Sequence, residues 1–236
     1  MRLNQIFRPR YSEQQCEHLG MNFISPVGIF IKDKDTGIRY ASLLLNNAYS
    51  YVIVNCKDLA STIRILTFLP REYNIIAHLD VKQEYNYKGS QKNMEAAFAI
   101  LYEFVDAFLI SSIDSLSDDV DSLLNLRLYC DEVKPIILDI RPDLLTTELD
   151  EILDYAMGCN VDGCLISNLR LLQHAQQRAK GYLTLIAGDI NSLERMQAAK
   201  KIGAELFCAN SSGKHTLSLI HLGRKLLRQL HKNALP

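Results

Sequence analysis

Two stretches decide the fold: Asp106-Ala-Phe-Leu-Ile-Ser-Ser and Asp162-Gly-Cys-Leu-Ile-Ser-Asn. Each opens on an acid, runs through a short apolar segment and closes on a serine, so they read as copies of one unit. Nearly continuous apolar runs of this length fit strands covered on both faces, as in a parallel sheet. Working outward from them, similar runs occur at residues 27–31, 51–55, 74–79, 107–111, 135–140, 163–167, 183–187 and 205–209. Segments of helical period lie between these runs. Ser90-Gln-Lys-Asn-Met-Glu is expected to open a helix with Met94, Ala97, Phe98, Leu101 and Phe104 on its apolar face. Thr146-Thr147-Glu-Leu-Asp-Glu supplies a threonine cap and acids in the first turn of another. A third starts at Ser192 and stops at Gly203 after Lys200-Lys201, and residues 217–230 form a basic amphipathic helix expected to pack back as the last element.

Eight such units predict an α/β fold, a single (β/α)8 TIM barrel of parallel strands surrounded by helices. A doubly wound open sheet would want a glycine-rich phosphate loop after the first strand, and Ile31-Lys-Asp-Lys-Asp-Thr-Gly is not one. The organisation expected is a lead segment of residues 1–25 and a barrel over residues 26–236.

With 236 residues, 48% of them hydrophobic and 22% charged, the chain has material for a large core and is not of disordered composition. Its 26 basic residues nearly balance 27 acidic ones, so charge offers no reason to expect nucleic acid as a partner. No apolar run is long enough to span a bilayer, and the first ten residues are polar, so a cytoplasmic protein without membrane insertion is expected. Six cysteines occur without a CxxC pair, which fits reduced thiols in place of disulfides or a zinc site. No metal centre is expected.

Barrel chemistry sits where strands exit into helices. Those positions are Lys32, Asn55, Asp80, Ser111 with Ser112, Asp139 with Arg141, Asn168, Gly188 with Asp189, and Asn210. His78 is the one histidine near a strand exit. As a set they suggest a small-molecule pocket, with Arg141 suited to a carboxylate or phosphate. Each taken singly could instead cap the following helix. No GxSxG, HExxH or P-loop pattern occurs.

Six segments in order resemble the dihydroorotate dehydrogenases, most closely their membrane-associated class. Leu19-Gly-Met-Asn-Phe-Ile-Ser-Pro-Val-Gly-Ile resembles LGLRFPNPVGL, and Asp33-Lys34 falls within a counterpart of GFDKNG. Val105-Asp-Ala-Phe-Leu-Ile-Ser is similar to ADYLVVN, and Lys134-Pro-Ile-Ile-Leu-Asp-Ile-Arg-Pro-Asp-Leu to RPVLVKIAPDL. Val161-Asp-Gly-Cys-Leu-Ile-Ser-Asn resembles IDGLIVTN, and Leu185-Ile-Ala-Gly-Asp-Ile-Asn-Ser resembles IIGVGGISS.

The resemblance implies a barrel holding FMN above the strand exits and oxidising dihydroorotate to orotate in pyrimidine biosynthesis. It places Asp33, Lys34, Gly188, Asp189, Cys208 and Ala209 beside the flavin, and His78, Ser111, Asp139 and Asn168 around the substrate, while the strand-exit positions add Lys32, Asp80 and Arg141 to that ligand pocket. Several family residues have changed. The flavin-contacting lysine falls on Asp139, the substrate asparagine of NVSSPNT on Ser111 and the asparagine of VNIGKN on His78. The serine base is recovered only by a shift to Ser115, and the phosphate glycine pair has become Gly188-Asp189. Asn168 matches the substrate asparagine of the TN pair.

Three readings follow. The first is a barrel degenerate at its flavin and substrate site, acting as a non-catalytic binding or regulatory protein. The second is an active FMN-dependent oxidoreductase. The third is a different barrel enzyme acting on a small anionic molecule. A homodimer is compatible with each.

Overall fold

The computed structural model describes residues 16–31, 41–69, 71–111, 125, 133–211 and 216–232. A hairpin comes first, β1 (Cys16–His18) paired antiparallel with β2 (Met21–Phe23). The barrel then begins with β3 (Val27–Ile31), α1 (Ala41–Asn47), β4 (Tyr51–Asn55), α2 (Leu59–Leu66) and β5 (Asn74–Asp80). A second hairpin, β6 (Tyr85–Tyr87) and β7 (Ser90–Lys92), precedes α3 (Met94–Leu101) and β8 (Ala107–Ser111). The second half runs β9 (Ile136–Ile140), α4 (Thr146–Gly158), β10 (Gly163–Ile166), α5 (Leu169–Ala179), β11 (Thr184–Ala187), α6 (Leu193–Ile202), β12 (Leu206–Asn210) and α7 (Thr216–Lys232).

Eight strands close in the order β3-β4-β5-β8-β9-β10-β11-β12, with every neighbouring pair parallel. The fold is the expected TIM barrel, and each of the eight apolar runs contributes one strand. Because side chains alternate across a strand, the buried residues split into two clusters. One fills the barrel with Phe30, Tyr51, Ile53, Ile76, Leu109, Ile137, Leu165, Ile186, Leu206 and Cys208. The other lies between strands and helices, where Leu44, Leu59, Phe98, Leu153, Leu172, Met196 and Leu226 meet the outward strand residues.

The paired acid-to-serine motif has a physical basis at each end. The Asp106 carboxylate accepts from the Ile75 N–H at 2.7 Å, and that of Asp162 accepts from the Ile136 N–H at 2.8 Å. Each acid thus satisfies an amide in the first two residues of the preceding barrel strand. The closing serines, Ser111 and Ser167, both face the cavity at the opposite end.

The first hairpin closes the floor of the barrel. Leu19 and Phe23 belong to the interior cluster, Phe23 meets Tyr51 edge to face at 5.4 Å, and the Asn74 amide donates to the Asn22 carbonyl at 2.7 Å.

Three local expectations are corrected. Ser90 does not open a helix: it lies in β7, because Lys88 and Gly89 both take positive φ (51° and 82°) and turn the chain back as a two-residue hairpin loop. The helix starts after Asn93, whose side chain accepts from the Ala96 N–H at 3.0 Å. Phe104 is exposed, since the chain tightens into a 3-10 turn at residues 102–104 and brings Tyr102 inward in its stead. In α4, Leu145 holds the cap position and its N–H donates to Glu148 at 2.7 Å, so neither threonine is the cap. By contrast, Ser192 caps α6, and Gly203 ends it in the left-handed region.

Among the described residues, no helix is long and apolar enough to cross a membrane. Nor does any group of three or more His, Cys, Asp or Glu side chains stand ready for a metal ion.

Candidate functional site

The barrel mouth, at the carboxyl ends of the strands, holds a cavity of about 360 Å3. Its floor is Phe30 and its walls are Asn55, His78, Ser111, Asp139, Arg141 and Ser167, with Asp189 on one side. Strand alternation accounts for this set. Asn55, His78, Ser111, Asp139 and Ser167 each follow an interior apolar residue by two positions, so their side chains point inward above the core layer.

One polar contact in the cavity wall joins β5 to β8. His78 Nε2 and Ser111 Oγ lie 2.8 Å apart, and the Phe30 ring meets the imidazole edge to face at 5.0 Å. Ser111 is buried, so its hydroxyl is reached only from the cavity. Arg141 stands exposed at the rim. It is the one cation among the described residues lining the cavity, opposed by the acids Asp139 and Asp189.

Beside the main cavity, between β11 and β12, is a recess of about 20 Å3 lined by Ser167, Gly188, Asp189, Cys208, Ala209 and Asn210. Asp189 is left-handed (φ 53°), and the Asn210 amide donates to its Oδ1 at 2.8 Å, holding the carboxylate there. Three of the described backbone donors around it are engaged. Gly188 N–H donates to Ile166 O, Ile190 N–H to Cys208 O and Ser211 N–H to Phe30 O, each at 3.0 Å. The recess has space for about one water, and a fixed carboxylate there opposes a phosphate dianion.

Of the expected ligand residues, His78, Ser111, Asp139 and Arg141 come together around the cavity. Asp80 does not line it. Its carboxylate accepts from the Lys82 N–H at 2.9 Å, and its backbone is held by the Tyr85 hydroxyl, whose oxygen accepts from the Asp80 N–H at 2.6 Å. Asn168 also lies outside the lining, because it caps α5 by accepting from the Arg170 N–H and donates to the Pro142 carbonyl, both at 2.9 Å. For these two the helix- and turn-capping role takes the side chain. Lys32, Asp33, Lys34 and Ser115 lie outside the described residues. Gly188, Asp189, Cys208 and Ala209 line the recess together.

Sequence reading did not single out Phe30 or Ser167 as lining residues. The repeat flagged Ser167, since it occupies the place of Ser111 in the second copy. Its backbone is fixed by Arg195, whose guanidinium donates to the Ser167 carbonyl, and its hydroxyl sits where a Cβ on residue 188 would be. Nothing in the sequence distinguishes Phe30 from its neighbours except its parity along β3.

The thiols nearby are inert by burial. Desolvation pushes Cys56 and Cys164 up to about 12, so neither supplies a thiolate at neutral pH.

No family model matches the chain, and no curated protein sequence matches it. Among solved structures it is similar to ligand-free DHODH from Eimeria tenella. That match has a TM-score of 0.74 at 13% identity and covers 94% of this chain and 89% of that one. The same enzyme in complex with ferulenol matches at 0.70 and 14%, covering 91% and 83%. Orotidine 5'-monophosphate decarboxylase from Sulfolobus solfataricus matches at 0.67 and 15%, covering 89% of this chain and all of the other. At these identities the likeness is one of fold, and the fold is the (β/α)8 barrel that the dihydroorotate dehydrogenase resemblance implies.

Proposed function

We propose that this chain is a flavin-free barrel of the dihydroorotate dehydrogenase type. In this reading its mouth holds a small carboxylate-bearing molecule and does not oxidise it. One observation carries the reading. The β11/β12 recess, where the resemblance places the FMN phosphate, has about 20 Å3 of space and is lined by the clamped Asp189 carboxylate. The charge pattern supports it. The flavin-contacting lysine of the family corresponds to Asp139 here, and an anion at that place disfavours the reduced anionic flavin. Arg141 at the rim suits a carboxylate by a paired fork of donors, while Asp139 and Asp189 suit hydroxyl or ammonium donors. The ligand class that fits is a small hydroxy or amino acid.

Two titrations on the purified chain test this. FMN added in excess should leave no flavin absorbance after desalting. Small hydroxy and amino acids should raise the melting temperature, and Arg141→Ala should remove that rise with a loss of affinity of about 10-fold or more. Retention of one FMN per chain, reduced on adding dihydroorotate, would establish the oxidoreductase instead.

A further inference from the structure

We infer that Ser111 and His78 form a nucleophile–base pair that accepts an acyl group from an ester bound in the barrel mouth. The inference rests on the proposed binding site and goes beyond it by giving that site a reaction.

The geometry has three parts. The first is the contact itself, 2.8 Å between His78 Nε2 and Ser111 Oγ, within the range for proton transfer from a hydroxyl to an imidazole. The second is placement. Both side chains line the same cavity from adjacent strands, and Ser111 is otherwise buried, so a molecule in the mouth meets the hydroxyl directly. The third is rigidity. Both residues stand on barrel strands, and the Phe30 ring edge holds the imidazole plane.

Asn55 pairs in register with His78 from β4 and also lines the cavity, which places a carboxamide beside the reacting centre. Arg141, at the rim just past the neighbouring strand β9, receives a carboxylate elsewhere on the substrate.

The step balances with water as the only co-reactant. In the tautomer with the proton on Nδ1, His78 Nε2 takes the Oγ–H proton as Oγ bonds to the acyl carbon. The ester C–O bond breaks, and the alcohol leaves with that proton. Water then attacks the acyl-serine, giving one proton to Nε2. The acid departs and that proton returns to Ser111 Oγ. No electrons are exchanged, so no flavin or other redox partner is required.

The probe is a fluorophosphonate, which reports an activated serine irrespective of the natural acyl group. Oγ bonds to phosphorus, fluoride leaves and the proton passes to His78. The expected result is a single adduct by intact mass, mapped to the Ser111 peptide and absent in Ser111→Ala. Labelling should be slower by about 100-fold in His78→Gln, the scale of a lost general base. Circular dichroism of both variants confirms the fold. Absence of an adduct on Ser111 in the unaltered chain overturns the inference, as does an adduct whose rate His78→Gln leaves unchanged. Carboxylate binding at Arg141 is measured separately, so failed labelling with binding intact sinks only this inference. Labelling without any carboxylate binding sinks only the reading beneath it.

Discussion

At the scale of single residues, the barrel floor depends on one missing side chain. Tyr51 enters from β4, crosses beneath β3 and donates its hydroxyl proton to the Phe207 carbonyl on β12 at 3.1 Å. The path is open only because position 28 is glycine: a Cβ there would lie 2.2 Å from the Tyr51 ring. Gly28→Ala must therefore displace a fully buried aromatic ring from a packed interior, and should cost about 3 kcal/mol, toward the upper end for overpacking. The lowered midpoint in a urea titration measures this. Leu19 illustrates the opposite balance. It takes a positive φ (56°), which costs about 1–2 kcal/mol for such a residue. The turn persists because it puts the leucine into the interior cluster, where burial contributes about 1.5–3 kcal/mol.

At the scale of elements, the β6–β7 hairpin is the departure from a plain alternation of strand and helix. Its place is set by Tyr85, which is buried and whose hydroxyl donates to the Asp80 carbonyl at 2.9 Å, and by the Asn86 N–H, which donates to the Lys57 carbonyl at 3.2 Å. The turn itself is not optimal, because Lys88 sits at φ 51° where asparagine is better tolerated. Lys88→Asn should stabilise the fold by about 0.5–1 kcal/mol, read as a rise in melting temperature with unchanged circular dichroism. The hairpin is hard to read in the sequence for the same reason: Tyr85-Asn-Tyr87 alternates over only three residues, and Lys88-Gly89 is not an Asn-Gly or Asp-Gly pair. Helix ends were more legible. Ser192 and Asn168 cap as their type suggests, whereas at α4 the threonines were overruled by Glu148 reaching back to the Leu145 amide.

At the scale of the whole molecule, the closed barrel makes solvent exclusion a source of pH dependence. Burial raises Cys56 and Cys164 from an ordinary 9 to about 12 and raises Tyr49 and Tyr85 further still. Above pH 9 the unfolded chain releases these protons while the folded chain keeps them. Stability should therefore be full below about pH 9 and fall steadily toward pH 12. Urea midpoints taken between pH 8 and 11 should decline over that range, and a flat series would contradict it. Thiol labelling at pH 8 with peptide mapping is a companion measurement. Cys159, which is partly exposed, should react before the buried Cys56, Cys164 and Cys208 do.

The eight strands and their parallel, two-sided burial were determined by the sequence alone, because apolar runs between helical segments have few other ways to exclude water. The repeat of acid and serine likewise marked both ends of two strands, one structural and one facing the cavity. Tertiary structure alone decided which exit residues meet. Asp80 and Asn168 turn to cap their own backbone, while His78 and Ser111, 33 positions apart, come within 2.8 Å. That choice depends on strand stagger and on competition between local amides and distant side chains for the same polar atoms. Neither is written in the order of residues along one strand.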